Sequence, residues 1–116
     1  MNWHQIKDLR TLELHRVIAD LLRSDPSKLV LARAWIERKL TDAQYSDQGK
    51  DALAEWKILM DEEGLPGVLR VLAGADEESV RMRQSSPFAC IMPQPVRLQI
   101  LKKYESLRVG ASAAGV

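Results

Sequence analysis

Leu14-His15-Arg16-Val17-Ile18-Ala19-Asp20-Leu21-Leu22 is the stretch whose reading decides the fold class. Apolar residues fall at 14, 17, 18, 21 and 22, the recurrence of a single helix face. Working toward the N-terminus, Leu9, Ile6 and Trp3 continue that stripe and Leu12 widens it. The spacing predicts a helix over residues 2–23. It must end near Arg23-Ser24, because Pro26 disfavours the helical conformation in the residue before it. Asp25-Pro26 then reads as the start of a second helix, Asp as N-cap and Pro in the first turn. Leu29, Ala32, Ile36 and Leu40 form its inward stripe, with Leu31 and Trp35 beside them. A break this short implies an antiparallel helical hairpin.

The same logic carries through the chain. Residues 41–49 are polar and read as a loop. A third helix is expected at about 50–63, with Leu53, Trp56, Leu59 and Met60 inward. Gly64 should close it in the left-handed conformation. Pro66 opens a fourth helix through Val68, Leu69 and Leu72, which Gly74 ends. Asp76 caps a fifth, whose first turn holds Glu77 and Glu78 where the helix dipole favours anions. Ser86-Pro87 is another cap-and-proline pair, and a final helix begins at Pro93–Pro95. No segment alternates with period two. The expectation is an all-α domain, a compact bundle of five to seven helices with no sheet, over residues 1–109, followed by a flexible tail at 110–116.

Composition agrees. Sixteen of 116 residues are leucine, and leucine with alanine, arginine and glutamate favours helix. The length suits one core. A lone cysteine, Cys90, excludes an intramolecular disulfide and a Cys-rich zinc site. His4 and His15 lie three turns apart on the first helix, too far to share a metal. No cofactor or metal is expected. No window is apolar enough to span a membrane and the start is not that of a signal peptide, so a cytoplasmic protein is expected.

No Ser-His-Asp or Cys-His set can be assembled, and no glycine-rich phosphate loop occurs. Asp61, Glu62 and Glu63 are consecutive, so they diverge around a helix rather than converge as an acid–base pair would. A binding protein, not an enzyme, is the expectation. The net charge of +1 hides a division: residues 1–40 carry +3, residues 41–78 carry −7 and residues 79–116 carry +5. Such blocks arise from intramolecular complementarity or from a charged partner. A partner gives two candidate surfaces. One is the acidic helix, with Asp51, Glu55, Asp61, Glu62 and Glu63. The other lies in the stretch Arg81–Arg97, which holds the only Phe, the only Cys and three of the five prolines. There Arg81, Arg83 and Arg97 are read as exposed. Phe88, Cys90 and Ile91 are read as core, with an interface role for Phe88 as the alternative, since Arg and aromatics dominate interface energetics.

Leu14-His15-Arg16-x-Ile18-Ala19 with Asp25-Pro26, Trp56 on an acidic helix, and Arg81-x-Arg83-Gln84-Ser85-Ser86-Pro87-Phe88-Ala89 together resemble small helical bacterial antitoxins of toxin–antitoxin pairs. The chain has Cys90 where similar chains have glycine after Ser-Pro-Phe-Ala. The backbone there then needs no special conformation, or the local pocket differs. The resemblance implies a protein partner, a toxin of nucleotidyltransferase-like kind in the first instance, covered at its active site. The acidic helix would then face a cleft built to hold RNA or nucleotide. Two alternatives stay open. One is a DNA-binding transcriptional regulator making weak contact through the basic ends, against which the near-neutral charge argues. The other is a phage or host accessory protein inhibiting a nucleic-acid enzyme.

Overall fold

The computed structural model describes residues 2–114, with side chains as far as Val109. Its elements are α1 (Trp3–Ser24), α2 (Lys28–Leu40), α3 (Asp47–Ala73), α4 (Glu77–Arg83), a single 3-10 turn (Phe88–Ile91) and α5 (Gln94–Ala114). The fold is an all-α bundle, and no strand occurs among the described residues. α1 packs along α3 and α5, and α2 along α3 and the 3-10 turn.

The helix starts are set by local chemistry. Asn2 and Gln5 form a reciprocal capping box at the head of α1, each satisfying the other's backbone N–H. Asp25 does not cap α2 directly. Its carboxylate accepts from Ser27 N at 3.2 Å within a turn, and α2 begins only at Lys28, after Pro26 rather than at it. α3 starts earlier than the apolar stripe suggests. Ser46 accepts from Gly49 N at 3.0 Å, which draws the polar residues Asp47, Gln48 and Gly49 into the helix and shortens the loop. Asp76 caps α4 as expected, accepting from Ser79 N at 3.1 Å.

Gly64 has φ +65° as expected, but ψ −154°. That is not the left-handed helical cap. It is an extended glycine conformation that divides α3 into two helical rods, and these rods are the expected third and fourth helices. α5 continues to Ala114, into the segment expected as a tail; Gly115 and Val116 lie outside the described residues.

The core forms where the stripes meet. Trp56, Phe88, Ile6, Leu22, Ile36, Leu53 and Leu72 are almost wholly buried. Trp35, beside the inward stripe of α2, is half-buried and meets Tyr45 edge-on at 6.5 Å, with the Lys39 ammonium over both rings. Trp3 is half-buried between the Arg10 and Arg108 guanidinium groups at 5.6 and 5.0 Å from its ring.

Candidate interaction surface

The acidic helix is where the charge blocks meet. Glu55 accepts from Arg81 of α4 at 2.8 Å, and Arg81 also pairs with Glu78. Asp61 pairs with Arg33 of α2. Glu63 accepts from Arg70 at 2.8 Å, across the Gly64 break. Three of the five candidate acids are thus neutralised from within the chain. Asp51 and Glu62 are exposed and make no ion pair among the described residues. Glu78 first and Glu55 second hold Arg81 charged beyond its ordinary range. Between α1 and α5, Lys103 donates to Glu13 at 3.1 Å. The −7 block is met by Arg81 from the +5 block, by Arg33 from the first block and by its own Arg70, although exposed pairs of this kind contribute only ~0–1 kcal/mol each.

The Arg81–Arg97 stretch divides differently from the expectation. Arg81 is exposed, as read. Arg83 is not: it is 5% exposed, and its guanidinium donates to Val71 O at 2.8 Å and Gly74 O at 2.6 Å. Those carbonyls belong to the last turn and cap of α3, which have no helical partner of their own and carry the negative end of the dipole. Arg83 is the lock between α4 and α3. Burial pushes its pKa down against the favourable pull of Asp76 and Asp8. Phe88 is fully buried, its ring edge-on to Trp56 at 5.4 Å, while Trp56 Nε1 donates to Met82 O at 3.1 Å. The core reading of Phe88 holds, and neither Phe88 nor Arg83 has a surface to offer a partner. Cys90, expected to be buried with Phe88 and Ile91, is exposed. Its thiol lies 3.4 Å from Pro87 O, and partial burial raises its pKa. Arg97, also read as exposed, is half-buried beside a pocket lined by Leu14, His15 and Ile18.

An aliphatic surface lies where neither candidate set pointed. Val30 and Leu31 of α2 are 65% and 55% exposed, and Ile58 of α3 is 55% exposed. Val30 stands one helical turn before Arg33, and Ile58 one turn before Asp61, so both flank the Arg33–Asp61 bridge that joins the two helices. Leu31 belongs to the outer of the two stripes predicted on α2. Ile58 lies off the inward positions Leu53, Trp56, Leu59 and Met60, and that misfit was the signal available in the sequence.

No family model, no curated protein and no solved structure matches the chain. No group of three metal-ligating side chains converges among the described residues, and no helix among them is long and apolar enough to cross a membrane.

Proposed function

We propose that the protein acts by covering another protein, and that this partner is the toxin of a toxin–antitoxin pair. The observation that carries the reading is the exposed aliphatic pair Val30 and Ile58 flanking the Arg33–Asp61 bridge, with Leu31 exposed beside Val30. Large aliphatic side chains rimmed by charge gain stability when covered, roughly 25 cal/mol for each Å² removed from water. The resemblance of the Leu14–Ala19 and Arg81–Ala89 motifs to helical antitoxins names the kind of partner. Occlusion of the toxin's active site by the α2–α3 face is the mechanism, and the protein itself carries out no chemistry. Asp51 and Glu62, the outward acids without an ion pair, supply the residual negative charge that would steer a basic cleft toward this face.

The test is co-expression with the adjacent open reading frame, scoring growth and copurification, followed by the double variant Val30→Asp/Ile58→Asp. A neighbour toxic alone, rescued and copurified by this protein, and released by the double variant with the fold intact, supports the reading. Copurification with a harmless nucleic-acid enzyme points instead to an accessory inhibitor. A harmless neighbour with no copurification removes the antitoxin reading, and DNA affinity that falls steeply with salt would then mark a regulator.

A further inference from the structure

The exposed face of the α2–α3 hairpin carries more than its aliphatic pair. The link 41–46 between the two helices is short, so they run antiparallel. Val30 stands one turn before Arg33, and Ile58 one turn before Asp61. The two therefore lie on opposite sides of the bridge, about 9 Å apart along the hairpin at 1.5 Å per residue. Ala34, one turn after Val30, is half-buried, and its small side chain leaves room between the two anchors.

The uncompensated charge around these anchors has one sign. Within α2, the charged residues that share a side with Val30 at helical spacing are Arg33 and Glu37. On α3, those that share a side with Ile58 are Asp51, Glu55, Asp61 and Glu62. Arg33 is engaged by Asp61, and Glu55 by Arg81. Glu37, Asp51 and Glu62 are exposed and make no ion pair among the described residues. Three carboxylates thus rim the aliphatic pair, and that sign selects among occupants. A nucleic acid or an anionic lipid surface would be repelled. A second copy of the chain would set this acidic rim against its own counterpart, and like charges brought together across an interface oppose association. A polypeptide of opposite charge remains.

We propose that this face binds an amphipathic helix with basic flanks, supplied by the protein partner. The proposal rests on the reading that the α2–α3 face covers another protein, and it names the element covered. Apolar residues at i and i+7 of one helix stand about 10 Å apart, which matches the separation of Val30 and Ile58. The position between them, at i+3 or i+4, passes over Ala34 and the Arg33–Asp61 bridge. Lys or Arg on either side of that stripe reaches Glu37, Asp51 and Glu62. An apolar helix face laid against such a surface is a recurring mode of recognition. The helix is then the basic wall of the partner's cleft.

The experiment titrates the full chain, followed by methyl NMR, with an amidated peptide of about eighteen residues, long enough to form helix. The peptide carries Leu at i, i+4, i+7 and i+11 and Lys along both flanks. One control has Glu for every Lys, and another keeps the composition but scatters Leu around the helix. The expected result is saturable shifts centred on the methyls of Val30, Ala34 and Ile58, with an affinity that falls as salt rises. Both control peptides should bind at least about tenfold more weakly. Glu37→Gln/Asp51→Asn/Glu62→Gln leaves the anchors in place and should also weaken binding about tenfold. Glu77→Gln, which removes an exposed acid of α4, should leave binding unchanged. Circular dichroism checks that each variant stays folded. Absence of shifts at millimolar peptide overturns the proposal, as does equal binding by either control peptide or by the triple variant. A doubling of mass without peptide, with broadening at the same methyls, overturns it in favour of a second copy. Where the basic peptide fails but Val30→Asp/Ile58→Asp still releases a copurifying neighbour, the helix is overturned and the covered face stands. Where the peptide seats here and the neighbour is harmless, the basic helix stands and the toxin reading falls.

Discussion

The acidic front of α3 and the Arg81–Arg97 stretch look alike in the sequence, two charge-marked regions each able to meet a partner. In the folded chain they have opposite fates. The α3 acids stay at the surface, and Glu55, Asp61 and Glu63 are neutralised there by Arg81, Arg33 and Arg70. The Arg81–Arg97 stretch turns inward: Phe88 fills the core against Trp56, and Arg83 disappears beneath the end of α3. Unusual composition in one region therefore marks a structural keystone, and in the other a set of internal counterions. The surface proposed for a partner is the plain-looking one, exposed at Val30, Leu31 and Ile58.

The comparison breaks most sharply at Phe88. Phe88→Ala should cost ~3–5 kcal/mol, the range for emptying a buried aromatic site, read as a lowered urea midpoint. A loss of partner binding with unchanged stability would instead return Phe88 to an interface role. Next is Arg83→Met, which keeps the stem but strands two carbonyls. A loss of roughly 1.5–3 kcal/mol is expected, the worth of hydrogen bonds to a charged group. A change below about 0.5 kcal/mol would make Arg83 an ordinary surface cation.

A smaller effect separates the regions by pH. His15 binds its proton less readily folded than unfolded, because burial disfavours the imidazolium. Its contribution to stability is present above the unfolded pKa of about 6.5 and is lost as pH falls through the depressed folded value. Urea midpoints should therefore fall between pH 7.5 and 5.5, and His15→Gln should flatten that fall. A fall that survives the substitution would assign it elsewhere. Smallest of all, Glu55→Gln, Asp61→Asn and Glu63→Gln should each cost under ~1 kcal/mol and lose their effect in high salt. A salt-insensitive loss above that would make the α3 network more than a set of counterions.

The helices were legible because their signals are local. The Leu14–Leu22 periodicity, the Asp76 cap and the Pro66 and Pro87 breaks depend on residues within a turn or two of each other. The errors at the ends came from side-chain bonds that outweigh hydropathy, as when Ser46 draws three polar residues into α3. The candidate site was much less legible. Whether Arg83 is exposed depends on Val71 and Gly74, which reach it only once α4 folds back on α3. Whether Glu55 is free depends on Arg81, 26 positions away. The division of charge into blocks was visible as arithmetic, but the partners Arg33, Arg70 and Arg81 were not.

Gly64 carries a different consequence, one of handedness. It is the one described residue with positive φ, and its angles of +65° and −154° are the mirror image of the relaxed extended conformation of an ordinary residue. Seen by the backbone, the midpoint of α3 is written for the opposite enantiomer. An L-alanine there would be strained although a Cβ would meet only Pro66 Cδ, at 3.9 Å. A D-alanine introduced by chemical ligation would sit in its own preferred well. It would also restrict the unfolded chain, a gain of ~0.4–1 kcal/mol where the native angles suit the new residue.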